Sequence, residues 1–526
     1  LLIFSIILMK NLKNKTGFVY LIGAGPGDAG LLTLKGRDTL IKSDVIVYDH
    51  LVNKALLRYA PDSCELIYAG KIAGTASLQQ EEINELLIEK AGEGKIVSRL
   101  KGGDPFIFGR GGEEAQALNR AGIPFVVIPG VSSFTGVSAY AGIPLTHRHL
   151  SSSFSVITGS AEKSQEDETI DWENIAKRSG TLVFLMGARR LPHIVAKLIE
   201  YGKDPETPVA VIRKGTTGEQ KTCIGTLATI SEIARQENIS PPALTVIGEV
   251  VNLKKEIDWY EKLPLFGKTI VVTRPERQSE SFIRALEEMG AEPLAMPVIK
   301  TIPPDDWGPL DKALQNLDSY YGLIFTSVNG VDFFMQRLKE TDHDLRDLKG
   351  VRIYAIGPKT EQAVRNLGLR VTASPKEFIA EALLECLQEE PIAGKRFLLP
   401  RAKVAREILP QEIIKLGAEI DVVPAYQTIA PLSIMREEFM RKLNDGEIDA
   451  LTFTSSSTVI NFMELIEGAD LEKLKSVAVA CIGPITADTA RQKGLSVDIV
   501  PQDYTADALA DAIESYFIAQ KKPFDS

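Results

Sequence analysis

Short apolar runs recur along the first half of the chain: FVYLIG, VIVYD, KIVSRL, FVVIPG, FSVITG, TLVFLMG, PVAVI and ALTVIG, each separated by a longer amphipathic stretch. Apolar runs of this length between turn residues fit buried strands. Their alternation with amphipathic stretches predicts α/β layers with largely parallel strands. The segment Lys254–Phe266, KKEIDWYEKLPLF, is charged and carries Pro264 just before a fresh strand start at Gly267. Few buried contacts can cross such a stretch, so a domain boundary is predicted there.

Beyond that boundary the pattern repeats itself. GKTIVVTRPE is echoed by GKRFLLPRAK, MGAEPLAMPVIKT by LGAEIDVVPAYQT, LIFTSVNGV by LTFTSSSTV, YAIGPKT by ACIGPIT, and NLGLRVTASPKEFIAEAL by QKGLSVDIVPQDYTADAL. Arg274 and Arg401 stand 127 residues apart, as do Gly290 and Gly417, while Gly357 and Gly483 stand 126 apart. A register kept over five motifs predicts two copies of one α/β unit, and two such lobes leave a cleft that suits a ligand.

The chain has 526 residues, beyond the size of one core at roughly 150 residues per domain. With 44% hydrophobic and 25% charged residues it reads as ordinary globular protein. Its net charge of −10 excludes a bulk attraction for nucleic acid or an anionic membrane, so an anionic substrate needs a local basic patch. Cys64, Cys223, Cys386 and Cys481 lie far apart without ligand spacing, which favours reduced thiols over a disulfide or zinc site. The opening LLIFSIILM is too short to cross a bilayer, which takes about 20 residues. Its positive charges follow the apolar run instead of preceding it, unlike a signal peptide. Residues 1–16 are therefore expected to be an untidy terminus with Met9 a candidate start, and the protein is expected in the cytoplasm.

Two stretches of the first half carry chemistry. YLIGAGPGD is a strand followed by a Gly-rich turn, which lets backbone N–H groups approach a ligand. It lacks the full GxGxxG spacing, and Pro26 removes one donor. RLKGGDPFIFGRGGEEA, Arg99–Ala115, follows the strand KIVSRL and so lies at a strand's carboxyl end, where ligands bind in open α/β sheets. Two Gly pairs flank Phe106 and Phe108, which are expected to be buried. Arg99, Lys101 and Arg110 are candidate cations, and Glu113 and Glu114 open a helix where acids suit the dipole. A solvated loop with incidental charge is the plainer reading, and the paired glycines argue against it.

GAGPGD, LLTLKG, VIVYD, GGDPFIFGRGGEEA, VIPGVSS with AGIPLTHR, VITG, DWENIA, TLVFLMG, TPVAVIRKGTTGEQ and PALTVIGEVV occur in order over Gly17–Trp259. This stretch resembles the uroporphyrinogen-III C-methyltransferases, within the tetrapyrrole (precorrin) methyltransferases. The resemblance implies a two-lobed α/β methyltransferase over residues 17–260, with lobes of about 17–148 and 149–253. It implies a homodimer and S-adenosylmethionine held between the lobes, at Pro26, Gly102, Gly103, Asp104, Ile107, Ser132, Ser133, Met186 and Gly215. Ser132–Ser133 stands where the family commonly has Thr–Ala, and Leu185 where many relatives have Tyr. Asp49 matches the family's proton acceptor and Lys71, in YAGK, its donor. Without the resemblance these two read as a strand-closing Asp and a surface Lys. A pyrrole carbon that attacks a sulfonium methyl group must shed a proton, which a placed carboxylate can take. The eight carboxylates of the substrate make Arg99, Lys101, Arg110, His147 and Arg148 candidate anion partners. His147 and His149 lack a third ligand, and no metal is expected.

The second half has hydroxyl-rich turns after strands, Thr326–Ser327 with Asn329–Gly330 and Thr454–Ser457, able to hold carboxylates or simply to cap helices. With TRP near its start, FTSxNGV, IGPxT and P-x-x-Y-T-A-D-A-L, it resembles uroporphyrinogen-III synthase. That implies a bilobal fold over residues 267–520 after a linker at 261–266. One lobe takes about 267–300 plus 430–517 and the other about 301–428. Tyr426 matches a tyrosine proposed to assist ring closure. Ser327, Thr454 and Ser455 are further candidates. The combined expectation is a bifunctional enzyme that cyclises hydroxymethylbilane and then methylates the product twice to precorrin-2. A methyltransferase with a non-catalytic tetrapyrrole-binding module, and a nucleotide-dependent oxidoreductase using the first Gly-rich turn, are the competing readings.

Overall fold

A computed structural model describes residues 17–520 apart from 62, 71–78, 160–169, 275, 299, 374–382, 385, 386, 388–390, 404–407, 430–432 and 469. In the first half, β1 (Phe18–Gly23), β2 (Val45–Tyr48), β3 (Glu65–Tyr68), β4 (Ile96–Lys101) and β5 (Phe125–Ile128) form one sheet in the order β3-β2-β4-β1-β5. Every pairing in it is parallel, with Val47 opposite Arg99 and Leu21 opposite Arg99 on the other side. β1 is buried along its whole length because helices cover both faces, which is why FVYLIG reads as an unbroken apolar run.

The second sheet contains β6 (Phe154–Thr158), β7 (Thr181–Leu185), β8 (Pro208–Arg213), β9 (Lys221–Thr226) and β10 (Ala243–Ile247), in the order β6-β7-β10-β8-β9. It departs from the parallel expectation. Only β6 and β7 run parallel, and the pairs β7–β10, β10–β8 and β8–β9 are antiparallel. The loop Lys214–Gln220 between β8 and β9 is too short for the crossover that a parallel pair demands.

The second half continues with β11 (Thr269–Val272), β12 (Glu292–Ala295), β13 (Lys300–Ile302), β14 (Gly322–Phe325), β15 (Arg352–Ala355), β16 (Arg396–Ala402), β17 (Glu419–Ile429), β18 (Ala450–Phe453) and β19 (Ala478–Cys481). They form two sheets, β12-β11-β18-β19 and β13-β17-β16-β14-β15. The internal repeat is visible in their turns. Gly290 and Gly417 both end helices with positive φ, 88° and 81°. Ser327 and Ser455 both cap the helix after a strand, and Gly357 and Gly483 both precede a helix that starts with proline. Each sheet has its own core. Phe325, Phe334 and Leu338 pack in one; Phe439, Phe453 and Phe462 pack in the other. Burying each such side chain is worth about 1.5–3 kcal/mol.

The chain divides into two compact units. One holds the described residues up to Ile270 together with Arg284–Pro293 and those from Glu514 on; the other holds Val271–Ile283 and Leu294–Ile513. Among the described residues no helix is long and apolar enough to cross a membrane.

Candidate active sites

In the first sheet the turns after β1, β4 and β5 press together backbone to backbone. Gly25 and Gly103 exchange hydrogen bonds, with N–O distances of 3.2 and 2.7 Å. A Cβ on Gly23 would lie 2.4 Å from the Gly130 nitrogen, and one on Gly130 would lie 2.3 Å from the Gly103 oxygen. No residue but glycine fits that approach. Asp104 staples the turns: its Oδ1 accepts from the Phe106 N–H at 2.8 Å and its Oδ2 from the Gly130 N–H at 3.0 Å.

The loops around this point are strained. Phe108, Arg110, Met186, Lys214 and Thr216 are five of the six described non-glycine residues with positive φ. Such backbone costs on the order of 1–3 kcal/mol per residue and gathers where a loop must present a ligand surface. Phe106 and Phe108 are 53% and 44% exposed, against the expectation that they would be buried. The turn folds onto itself through the Gly111 N–H to the Pro105 oxygen, 3.0 Å, which throws both rings outward. Ile107 and Met186 are likewise exposed. Pro26 packs against the helix Ser133–Tyr140, where a Cβ on Gly136 would meet its ring at 2.6 Å. Ser132 occupies the N-cap of that helix without using its hydroxyl there. Gly215 is held against Val137, whose Cγ1 would be 2.3 Å from an added Cβ.

This set fits S-adenosylmethionine, which needs a close backbone approach, hydroxyls for its polar ends and apolar surface for the rest. The glycine turns would supply the first, Ser132 and Ser133 the second, and Ile107 with Met186 the third.

Asp49 follows β2 and is partly exposed; its Oδ1 accepts from the Leu51 N–H at 3.1 Å and its Oδ2 lies 3.4 Å from Arg99 Nη2. Lys71 lies outside the described residues. Arg99 and Lys101 do not fit their expected role as substrate-facing cations: both are buried and both are paired with Glu114, at 3.2 and 2.7 Å. Their side chains alternate inward along β4, where a charge needs an internal counter-ion. Burial, helped by Arg99, pulls the Lys101 ammonium below its ordinary range against the opposing pull of Glu114. Arg110 and Arg148 are exposed. Arg110 forms a two-pronged pair with Glu113 at 2.9 and 2.7 Å, which raises the arginine and lowers the carboxyl. His147 and His149 face each other edge to face with ring centres 6.0 Å apart.

Sequence reasoning passed over the roles of four residues here. Asp28 accepts from the Tyr140 hydroxyl at 2.5 Å, and its own N–H donates to Thr216 Oγ1 at 3.0 Å, which ties the first Gly-rich turn to the β8–β9 loop. Glu114 was legible only as a helix-opening acid. The signal was its companion Arg99–Lys101 on an otherwise buried strand.

In the second half the structure joins Ser327 and Tyr426 through a 3.0 Å bond between hydroxyls. Ser327 Oγ also accepts from the Gly330 N–H at 3.0 Å, and the Tyr426 ring stacks on Phe333 at 5.7 Å. Thr454 and Ser455 close β18 in the other sheet. Ser455 Oγ accepts from the Thr458 N–H at 3.2 Å and pairs with Ser457 Oγ at 2.9 Å.

Comparison with known proteins agrees with this division. Residues 19–231 match the family described as Tetrapyrrole (Corrin/Porphyrin) Methylases. Residues 280–511 match Uroporphyrinogen-III synthase HemD. A porphyrin biosynthesis protein HemD of Ruminiclostridium josui is 36% identical over 94% of this chain and 97% of its own. An S-adenosyl-L-methionine-dependent uroporphyrinogen III methyltransferase of Methanosarcina barkeri is 51% identical over 46% of this chain and 95% of its own. A uroporphyrinogen-III C-methyltransferase of Bacillus subtilis is 39% identical over 68% of this chain and 73% of its own. The chain thus belongs to the tetrapyrrole methylases through its first half and to the uroporphyrinogen-III synthases through its second.

Proposed function

We propose that this bifunctional tetrapyrrole biosynthesis enzyme closes hydroxymethylbilane to uroporphyrinogen III and then transfers two methyl groups to give precorrin-2. The observation that carries the reading is the coexistence in one chain of the glycine cradle beside Asp49 and a doubled α/β half, matching two families whose product and substrate are the same molecule.

S-adenosylmethionine, when bound, supplies an electrophilic methyl group on a sulfonium. The turns at Gly102–Asp104 and Gly215 hold it, Ser132 and Ser133 bond its polar ends, and Ile107, Met186 and Pro26 exclude water. Asp49 takes the proton released at the methylated pyrrole carbon, and Lys71 is the matching donor. Arg110 and Arg148 face the substrate carboxylates from the exposed surface, while Arg99 and Lys101, buried on Glu114, take no part in holding them. In the second half, Tyr426 assists loss of hydroxide at the reacting carbon, with Ser327 orienting its hydroxyl. Thr454 and Ser455 hold carboxylates of the flexible chain, a task of positioning. The enzyme works as a homodimer through its first half, with no nucleic-acid partner, in the cytoplasm.

Mass spectrometry of the product made from hydroxymethylbilane, with and without S-adenosylmethionine, tests this. A type III macrocycle without cofactor and two added methyl groups with it is the expected result. Methylation of preformed uroporphyrinogen III alone would leave the second half a binding module.

A further inference from the structure

We propose that Glu114 is a positioning residue for methyl transfer, a buried carboxylate that sets the side chain of Asp49 through Arg99. This deepens the reading of Asp49 as the proton acceptor and rests on it.

Glu114 lies in the first turn of the helix Gly111–Arg120 and is wholly buried. Three donors converge on its Oε1: Lys101 Nζ at 2.7 Å, Arg99 Nε at 3.2 Å and Gln80 Nε2 at 3.3 Å. Its Oε2 is buried without a hydrogen-bond partner. As a mere stabiliser this arrangement is poor, because well-packed apolar residues in place of all three would avoid the desolvation of three charges. What the charges achieve is geometric.

Arg99 is pinned on one edge by Glu114 and on another by the carbonyls of Val47 and Leu100, at 3.4 and 3.2 Å. Its remaining nitrogen, Nη2, reaches Asp49 Oδ2 at 3.4 Å. Val47 and Arg99 are direct partners across β2 and β4, so the planar fork spans from the helix to the end of β2. The cluster holds two cations and two carboxylates, of which only Asp49 is partly exposed. Without the Glu114 charge, Asp49 becomes the sole counter-ion of two buried cations and is drawn inward, away from the edge where the substrate must meet it.

The test uses the full chain and preformed uroporphyrinogen III. Glu114→Gln is expected to lower kcat for methylation by at least about tenfold while S-adenosylhomocysteine binding, read by calorimetry, stays within about threefold. Because Glu114 acts through Asp49, Glu114→Gln in an Asp49→Asn background should slow the enzyme no further than about threefold. Arg99→Lys keeps the charge, loses the fork and should lower kcat alike, which carries the test if Glu114→Gln does not fold. Glu114→Gln at full rate, or losses that multiply in the double variant, overturn the inference alone. Asp49→Asn at full rate overturns the reading beneath it, and a wild-type chain that transfers no methyl group overturns the proposed function.

Discussion

The two halves build their candidate sites in different ways. In the first, charge is buried and the backbone is strained: Arg99, Lys101 and Glu114 lie inside, and all six described non-glycine residues with positive φ fall between Phe108 and Asn238. In the second no described non-glycine residue has positive φ, and the candidate groups are hydroxyls on helix caps, Ser327 and Ser455, with Tyr426 beside the first. The difference is one of backbone cost: each positive-φ residue of the first half carries on the order of 1–3 kcal/mol of strain, whereas the serine-capped turns of the second are made without it.

The sharpest way to break this comparison is Asp49→Asn. Methylation of preformed uroporphyrinogen III should fall by about 10²–10⁴-fold, while cyclisation of hydroxymethylbilane by the same sample is unchanged. A parallel loss of both rates would show that the halves do not work separately.

Next in size is the response to pH. Burial pushes the Glu287 carboxyl up to about 7, with Asp28 adding to it and Arg58 and Arg284 opposing. A raised carboxyl binds its proton more tightly in the folded chain. Stability is therefore full below the unfolded value and declines as pH climbs from there towards 7, by on the order of 2–3 kcal/mol. In the second compact unit Asp311 behaves oppositely. Its two-pronged bond to Arg337, 2.7 Å on each arm, lowers it, so its contribution is present at neutral pH and lost on acidification. Calorimetry from pH 5 to 8 should show the transition of the first compact unit moving down, and Glu287→Gln should flatten that slope.

Smaller effects separate the two lobes of the second half. Tyr426→Phe should slow cyclisation by roughly tenfold, the size of one lost hydrogen bond to a developing charge, and leave methylation alone. Ser455→Ala removes a helix cap and should cost about 1 kcal/mol in urea unfolding. If it slows cyclisation by more than that stability loss explains, its hydroxyl also touches substrate.

Much of the molecule was legible in the residues. The glycines of YLIGAGPGD signalled a turn whose backbone can be approached closely, and the structure adds that this turn meets those at Gly103 and Gly130. The echo of TSVN by TSSS signalled a repeated strand-to-helix turn, and both copies are capped by serine. What misled was the assumption that a residue's type tells which way it faces. FIF looked like core and lies outside, because the Gly111–Pro105 hydrogen bond folds the loop back on itself. Arg99 and Lys101 looked like surface cations and lie inside.

Local pattern alone therefore determined the α/β class, the turns and the doubling of the second half, since these depend on periodicity and on glycine's freedom at fixed positions. Tertiary structure alone decided that Glu114 neutralises two buried cations, that Asp28 ties two distant loops, and that Tyr426 meets Ser327. Those contacts join residues 13 to 188 positions apart, and no local window carries the counter-ion that a buried charge will find.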